Sequence, residues 1–250
     1  MTIEEACYIV TAWLASDKTS VLDISCLKLT ELPDNFPHDF NGILNCSYNQ
    51  LTSLSLPMAT EVNCYNNKLT TLSLPMATEV NCYNNQLTNL SLPMATKVRC
   101  SYNQLPSLSL PMATKVYCSN NQLTTLSLPM ATKVYCFYNQ LTTLSLPMAT
   151  DVECSNNQLT TLSLPMATEV NCNNNQLTTL SAPMAITVSC HNNPIEFRLA
   201  CMYPLTERLI RQGIITVRKA CFKLKKLTKQ RLTENLIHSQ CISKQFKFIL

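Results

Sequence analysis

Apolar and polar positions recur along most of the chain with a period of eighteen residues. One unit, LTTLSLPMATEVNCYNNQ as it stands from Leu69 to Gln86, returns almost unaltered between Leu51 and about Leu177. Within one period Leu87, Leu90, Leu92, Ala95, Val98 and Cys100 are the apolar positions expected to face a common interior. The short run around Val80 and Cys82 alternates inward and outward side chains, the two-residue period of a strand. A fixed period of this length predicts stacked coils, each strand pairing in parallel with the next, because a single coil buries too little to stand alone. Ten such strands, counting Leu22 to Ile24 as the first, make a sheet roughly 45 Å long at about 4.8 Å per strand. Pro75 and its equivalents forbid a regular helix on the return path, so the outer side should be extended or polyproline-like. At the start, Thr2-Ile3-Glu4-Glu5 fits a capping box, and Ile3, Cys7, Val10, Trp13 and Leu14 recur at helical spacing through about Ser16. That helix is the expected N-terminal lid.

Aligned on its asparagine, the unit places Ala77, Val80, Cys82, Asn85 and Leu87 at the spacing L-x-x-L-x-L-x-x-N/C-x-L, with Val and Cys in place of two leucines. The expected fold is a leucine-rich-repeat solenoid with a parallel sheet on its concave face, an extended convex side and helical caps at both ends. The boundaries read from the pattern are 1–20 for the N-terminal cap, 21–193 for about ten coils, and 194–250 for a basic helical cap or tail. Asn49, Asn67, Asn85, Asn103, Asn121, Asn139, Asn157, Asn175 and Asn193 form one column. A buried amide must bond main-chain groups of its own and the neighbouring turn, so this column is expected to be a structural ladder. Residues 21–37 read as a degenerate first repeat, with Leu27 where later coils have Asn.

Composition narrows the function. Charged residues make up only 14% of the chain against about 25% in typical domains, and there are 2 Gly in 250 residues, so glycine-rich phosphate loops and dinucleotide folds are excluded. No cofactor is expected. No run of eighteen apolar residues occurs, and the chain starts with acid where a secretory signal carries Lys or Arg, so a soluble chain without a Sec-type signal is expected. Nine of the 14 cysteines, from Cys46 to Cys190, are spaced by eighteen residues. Three readings stand for them: reduced, buried apolar side chains, a disulfide framework, or a metal or redox ladder. The first is preferred, because each replaces an inward leucine. A framework needs an oxidising compartment, and neither a CxxC pair nor His at ligand spacing supports metal. Reduced thiols imply a cytosolic working place.

The segment Leu22-Asp23-Ile24-Ser25-Cys26-Leu27-Lys28-Leu29-Thr30-Glu31-Leu32-Pro33, following a helical cap and leading into NxLTxLS repeats, resembles the bacterial leucine-rich-repeat effectors of the YopM and IpaH type over roughly residues 1–193. The repeat departs from that pattern in being shorter and in carrying SLPMAT where the family has a second LP. The resemblance implies delivery into a host cell by a non-Sec route and repeats that bind host proteins. IpaH-type members append a ubiquitin-ligase domain whose nucleophilic Cys is closely followed by Asp. Here 57 residues remain from Pro194, and neither Cys201, Cys221 nor Cys241 has that context, so no enzyme activity is expected. The alternative is a substrate-recognition or recruiting part of a ubiquitin-ligase-like system. A third class is a structural or surface-exposed repeat protein.

LTTLSLPMAT and VxCxxN barely change between coils, whereas the sites flanking Val and Cys do change, and these point onto the concave face. The column before Val runs Glu61, Glu79, Lys97, Lys115, Lys133, Asp151, Glu169. Together with the neighbouring columns it makes a basic and aromatic island of Lys97, Arg99, Tyr102, Lys115, Tyr117, Lys133, Tyr135, Phe137 and Tyr138 between acidic flanks. These are residue types enriched in binding hot spots and form the candidate partner site. Drift at solvated sites of recently duplicated repeats is the competing explanation. From Pro194 onward 12 Lys plus Arg stand against 3 Glu, net +9, leaving 7 against 12, net −5, for residues 1–193. Ile210, Ile214, Val217, Cys221 and Leu224 describe a basic amphipathic helix expected to close the C-terminal end. Its remaining charges suit a membrane surface or an acidic protein. No motif supports specific nucleic-acid recognition, and a monomer is expected.

Overall fold

The computed structural model describes residues 3–195. The expectations for the C-terminal segment, including the helix around Ile210 and the second cap, lie outside the described residues. The chain begins with an α-helix, Ile3–Leu14, and then winds through coils whose strands form one ten-stranded parallel sheet. The strands are Leu22–Asp23, Ile43–Asn45, Glu61–Asn63, Glu79–Asn81, Lys97–Arg99, Lys115–Tyr117, Lys133–Tyr135, Asp151–Glu153, Glu169–Asn171 and Thr187–Ser189. Each pairs with the next in sequence. The register advances from Leu22 to Leu44 in the first step and then coil by coil, as in Val80 with Val98. This first step aligns Leu27, itself buried, with Asn49.

The strands stop after three residues because the chain turns through a left-handed backbone soon afterwards. Tyr48, Asn66, Asn84, Tyr102, Asn120, Tyr138, Asn156, Asn174 and Asn192 all have φ between 53° and 57°. Asn enters that region more easily than most side chains, which accounts for six of the nine. The return path is extended, and it also forms short parallel pairs: Thr71–Ser73 with Asn89–Ser91, Thr125–Ser127 with Thr143–Ser145, and Thr161–Ser163 with Thr179–Ser181. The outer side therefore carries more strand than the proline argument anticipated. Where coils pair, a backbone N–H reaches back one coil, as Thr88 N to Thr70 O and Thr142 N to Thr124 O. Pro106 stands at the equivalent place in its own coil and has no N–H to donate, and no outer strand forms there.

Inside lie the Leu, Ala, Val and Cys columns, with Ala95, Val98 and Cys100 all fully buried and repeated coil after coil. The N-terminal helix closes this core with a face that differs from the periodicity reading. Ala6, Val10 and Trp13 are buried, whereas Ile3 is 44% exposed and Cys7 is half-buried. Trp13 decides the docking: its ring lies 5.3 Å from Phe40, and its Nε1–H donates to Ser20 O at 2.9 Å. The side chain of Asn35 donates to Cys7 O, fastening the first repeat to the helix. The helix ends at Leu14 rather than Ser16, because the Ser16 N–H and hydroxyl both turn back onto Trp13 O. At the other end the last coil opens its flank: Ala182, Ala185 and Val188 are half-buried and Ile186 is 61% exposed.

Candidate interaction face

Each interior asparagine ties two coils together. Asn103 donates from Nδ2 to Cys82 O of the preceding coil and to Cys100 O of its own, both at 3.0 Å, while its Oδ1 accepts the Leu87 N–H at 2.9 Å. The same three contacts recur at Asn67, Asn85, Asn121, Asn139, Asn157, Asn175 and Asn193. In the first coil Asn49 Oδ1 accepts from both Leu27 and Leu29, and its Nδ2 donates to Ile24 O and Cys46 O. These contacts hold the three-residue strands in line and so fix where the concave side chains stand.

The thiols complete the frame. Cys46, Cys64, Cys82, Cys100, Cys118, Cys136 and Cys154 lie in the core as free thiols, with Cys172 and Cys190 buried in the same column. Burial pushes Cys64 and Cys100 up to about 12 and raises Cys46, Cys82, Cys118, Cys136 and Cys154 as well. Such thiols are poor nucleophiles, since the thiolate is the reactive form. Among the described residues, no group of three His, Cys, Asp or Glu stands close enough to hold a metal ion. No helix there is long and apolar enough to cross a membrane.

On the concave face the variable residues form a connected path. The Arg99 guanidinium sits 5.4 Å from the centre of the Tyr117 ring, and Tyr117 meets Tyr135 edge-on at 5.3 Å. The Lys133 ammonium lies 4.7 Å from the Tyr135 ring centre, and the Tyr135 hydroxyl donates to Asp151 Oδ2 at 3.3 Å. Two lysines of the island are paired with the acidic flanks: Lys97 with Glu79 at 2.5 Å and Lys133 with Asp151 at 2.7 Å. The Asp151 and Tyr135 hydrogen bonds hold the Lys133 ammonium above its usual pKa. Lys115, between these two lysines, has no ion pair among the described residues.

Tyr102, Phe137 and Tyr138 stand apart from this path. They lie in the turns beyond the strands, Tyr102 against Tyr83 at 5.1 Å and Phe137 against Tyr138 at 5.8 Å. An open depression of about 350 Å³ lies over earlier coils, lined by Asn45, Glu61, Asn63, Glu79 and Asn81 among others, with Lys97 and Arg99 at the end nearest the island. The polar lining of this depression is therefore mainly amide and acidic rather than basic. Glu79 and Asp151, which the sequence marks only as flanks, pair directly with lysines of the island. Their place beside Lys97 and Lys133 in one column is the signal that marks them.

Short strands on a concave parallel sheet, an asparagine in every turn and an extended return path decide the architecture. The chain is a leucine-rich-repeat solenoid. Among solved structures, the leucine-rich-repeat fold is shared with the functional domain of InlJ from Listeria monocytogenes, which includes a cysteine ladder, at 26% identity and a TM-score of 0.58 over 65% of this chain and 42% of that one. The leucine-rich effector protein YopM from Yersinia pestis matches at 23% identity and a TM-score of 0.57, covering 77% of this chain and 65% of that one. The leucine-rich-repeat domain of APL1 matches at 20% identity with a TM-score of 0.54, over 62% of this chain and 49% of that one. This solenoid thus spans less than two thirds of each of those structures. No protein-family model matches the chain, and no match was found among curated protein sequences.

Proposed function

We propose that this solenoid is a non-enzymatic interaction scaffold that binds a partner protein on its concave face, with the Arg99–Tyr117–Tyr135–Lys133 path at the centre of the contact. The observation that carries this reading is the division of the coil. Interior columns and return path repeat almost unchanged, while charge and aromatic content change chiefly on exposed and half-buried sites in and just beyond the strands. Tyr and Arg on a rigid frame supply contact area at little cost in ordering. Lys97, Lys115 and Lys133 extend the surface along the axis, and Tyr102, Phe137 and Tyr138 border it in the following turns. The leading segment's resemblance to the YopM and IpaH type supports action as a bacterial effector inside a host cell. Buried free thiols suit the reducing cytoplasm such a protein would work in.

Lysine-directed cross-linking in cells, followed by mass spectrometry, tests the face. Cross-links from a recovered partner are expected at Lys97, Lys115 or Lys133. Lys115→Glu combined with Tyr117→Ala is expected to lose that partner while leaving the unfolding midpoint nearly unchanged, and Thr143→Ala with Ser145→Ala on the outer side is expected to retain it. Undiminished recovery by the concave variant, with loss by the outer one, would overturn the assignment. Loss of every partner on deleting 194–250 would move the site to the tail.

A further inference from the structure

The three island lysines occupy adjacent strands in direct register, Lys97 opposite Lys115 and Lys115 opposite Lys133. Neighbouring strands stand about 4.8 Å apart, well inside the screening length of about 8 Å at physiological salt, so the ammonium groups repel one another. The chain itself relieves the outer two. Glu79 holds Lys97 and Asp151 holds Lys133. Two cations are left without a carboxylate among the described residues: Lys115 in the middle, and Arg99, which has only the face of Tyr117. The coil that carries Lys115 also keeps Ser119 Oγ and Asn120 Nδ2 buried without a hydrogen-bond partner.

We propose that the partner presents an acidic, extended peptide segment that lies along the solenoid axis and seats its carboxylates on Lys115 and Arg99, in competition with Glu79 and Asp151 for the two outer lysines. This rests on the reading of the concave face as the binding surface. Tyr117 and Tyr135, stacked edge to face between the cations, give the segment an apolar floor. The acids at both ends of the island set its length: Glu61 and Glu79 on one side, Asp151 and Glu169 on the other, stand in the same column as the lysines. A long uniform polyanion or an anionic bilayer would meet these acids as well as the lysines and be repelled at both ends. A peptide with a short acidic centre meets only the lysines. Glu79 and Asp151 act as an internal stand-in for that ligand, and their departure exposes two further cations.

Fluorescence anisotropy of the full chain with a labelled peptide bearing a central run of Glu, and with its Gln counterpart, tests this. Neutralising the stand-in with Glu79→Gln and Asp151→Asn is expected to tighten binding of the Glu peptide roughly two- to twenty-five-fold, since each exposed ion pair released is worth a factor of about 1.5–5. Lys115→Glu with Arg99→Ala is expected to abolish it, and no form should hold the Gln peptide. Thermal unfolding of each variant shows whether the fold is retained. Equal affinity for both peptides, indifference to Lys115→Glu, or equal capture of phosphatidylserine vesicles would overturn the proposal. If the cross-linked protein partner is lost on Tyr117→Ala but unaffected by every charge variant, the acidic segment is refuted while the concave-face reading stands.

Discussion

Alkali should unfold this solenoid unusually steeply, because a column of thiols runs through its core. Burial raises the pKa of seven of them, Cys46, Cys64, Cys82, Cys100, Cys118, Cys136 and Cys154, above an ordinary 9.0, to about 12 for Cys64 and Cys100. A folded pKa above the unfolded value gives stability that is complete below the unfolded pKa and is lost as pH climbs toward the folded one. By pH 10 the unfolded chain has released about nine tenths of these protons while burial keeps the folded thiols largely protonated, a loss on the order of 1 kcal/mol per thiol relative to neutral pH. Seven thiols together withdraw on the order of 10 kcal/mol, the size of a typical domain's whole stability of about 5–15 kcal/mol. Guanidinium unfolding followed by far-ultraviolet circular dichroism under a non-thiol reductant, in small steps from pH 7.5 to 10.5, measures this. The midpoint should fall beyond pH 9 and reach zero denaturant near pH 10–10.5. Replacing Cys82, Cys118 and Cys136 with Ala lowers stability at pH 7.5 by opening small cavities, yet should reduce the alkaline loss at pH 10 by about 4 kcal/mol. A midpoint that stays level from pH 8 to 10.5 would mean that the fold accommodates thiolates, and the reasoning from a dry thiol column would be wrong.

Two further outcomes concern the frame. Asn103→Leu strands the Leu87 N–H and removes one of the two amide donors on each of Cys82 O and Cys100 O, which keep Asn85 and Asn121 respectively. At about 1–3 kcal/mol for the orphaned N–H and about 0.5–1.5 kcal/mol for each of the two other lost hydrogen bonds, less the relief of desolvating one amide, it should cost about 2–4 kcal/mol in equilibrium unfolding. A loss below about 1 kcal/mol would show that the Leu87 N–H finds another partner. Asn156, at φ 56°, should tolerate Gly but lose about 1 kcal/mol as Ala, because a Cβ without a compensating side chain is strained there. Equal stability of the Ala and Gly variants by chemical denaturation would remove the claim that this turn depends on its left-handed residue.

The solenoid could be read from the amino-acid pattern because identical coils force identical environments. Period, interior columns and the Asn column all follow from one repeating unit. Local substitutions hid other features. The left-handed column is masked by Tyr48, Tyr102 and Tyr138, which break an otherwise continuous run of Asn. The buried face of the first helix departs from the periodicity because Ile3 and Cys7 are more apolar than Ala6 yet stand off the core. The small side chain of Ala6 lets the helix sit close to the first coil, and Trp13 fixes its rotation. Within the island, charge order along the column was legible, but which lysine spends itself on an internal carboxylate depends on side-chain reach. Lys97 leans toward Glu79 and Lys133 toward Asp151, leaving Lys115 as the distinctive residue.

Because each asparagine links only its own turn to the one before, the asparagine joint repeats unchanged between internal coils. Excising or adding one whole eighteen-residue unit therefore leaves matched surfaces on both sides of the splice, and the molecule lengthens or shortens by one strand without redesign. Coil number becomes a quantity that unequal recombination can alter in a single event, carrying three concave side chains in or out as a block. A lineage of such chains can rewrite its recognition surface by shuffling turns rather than by waiting for point substitutions.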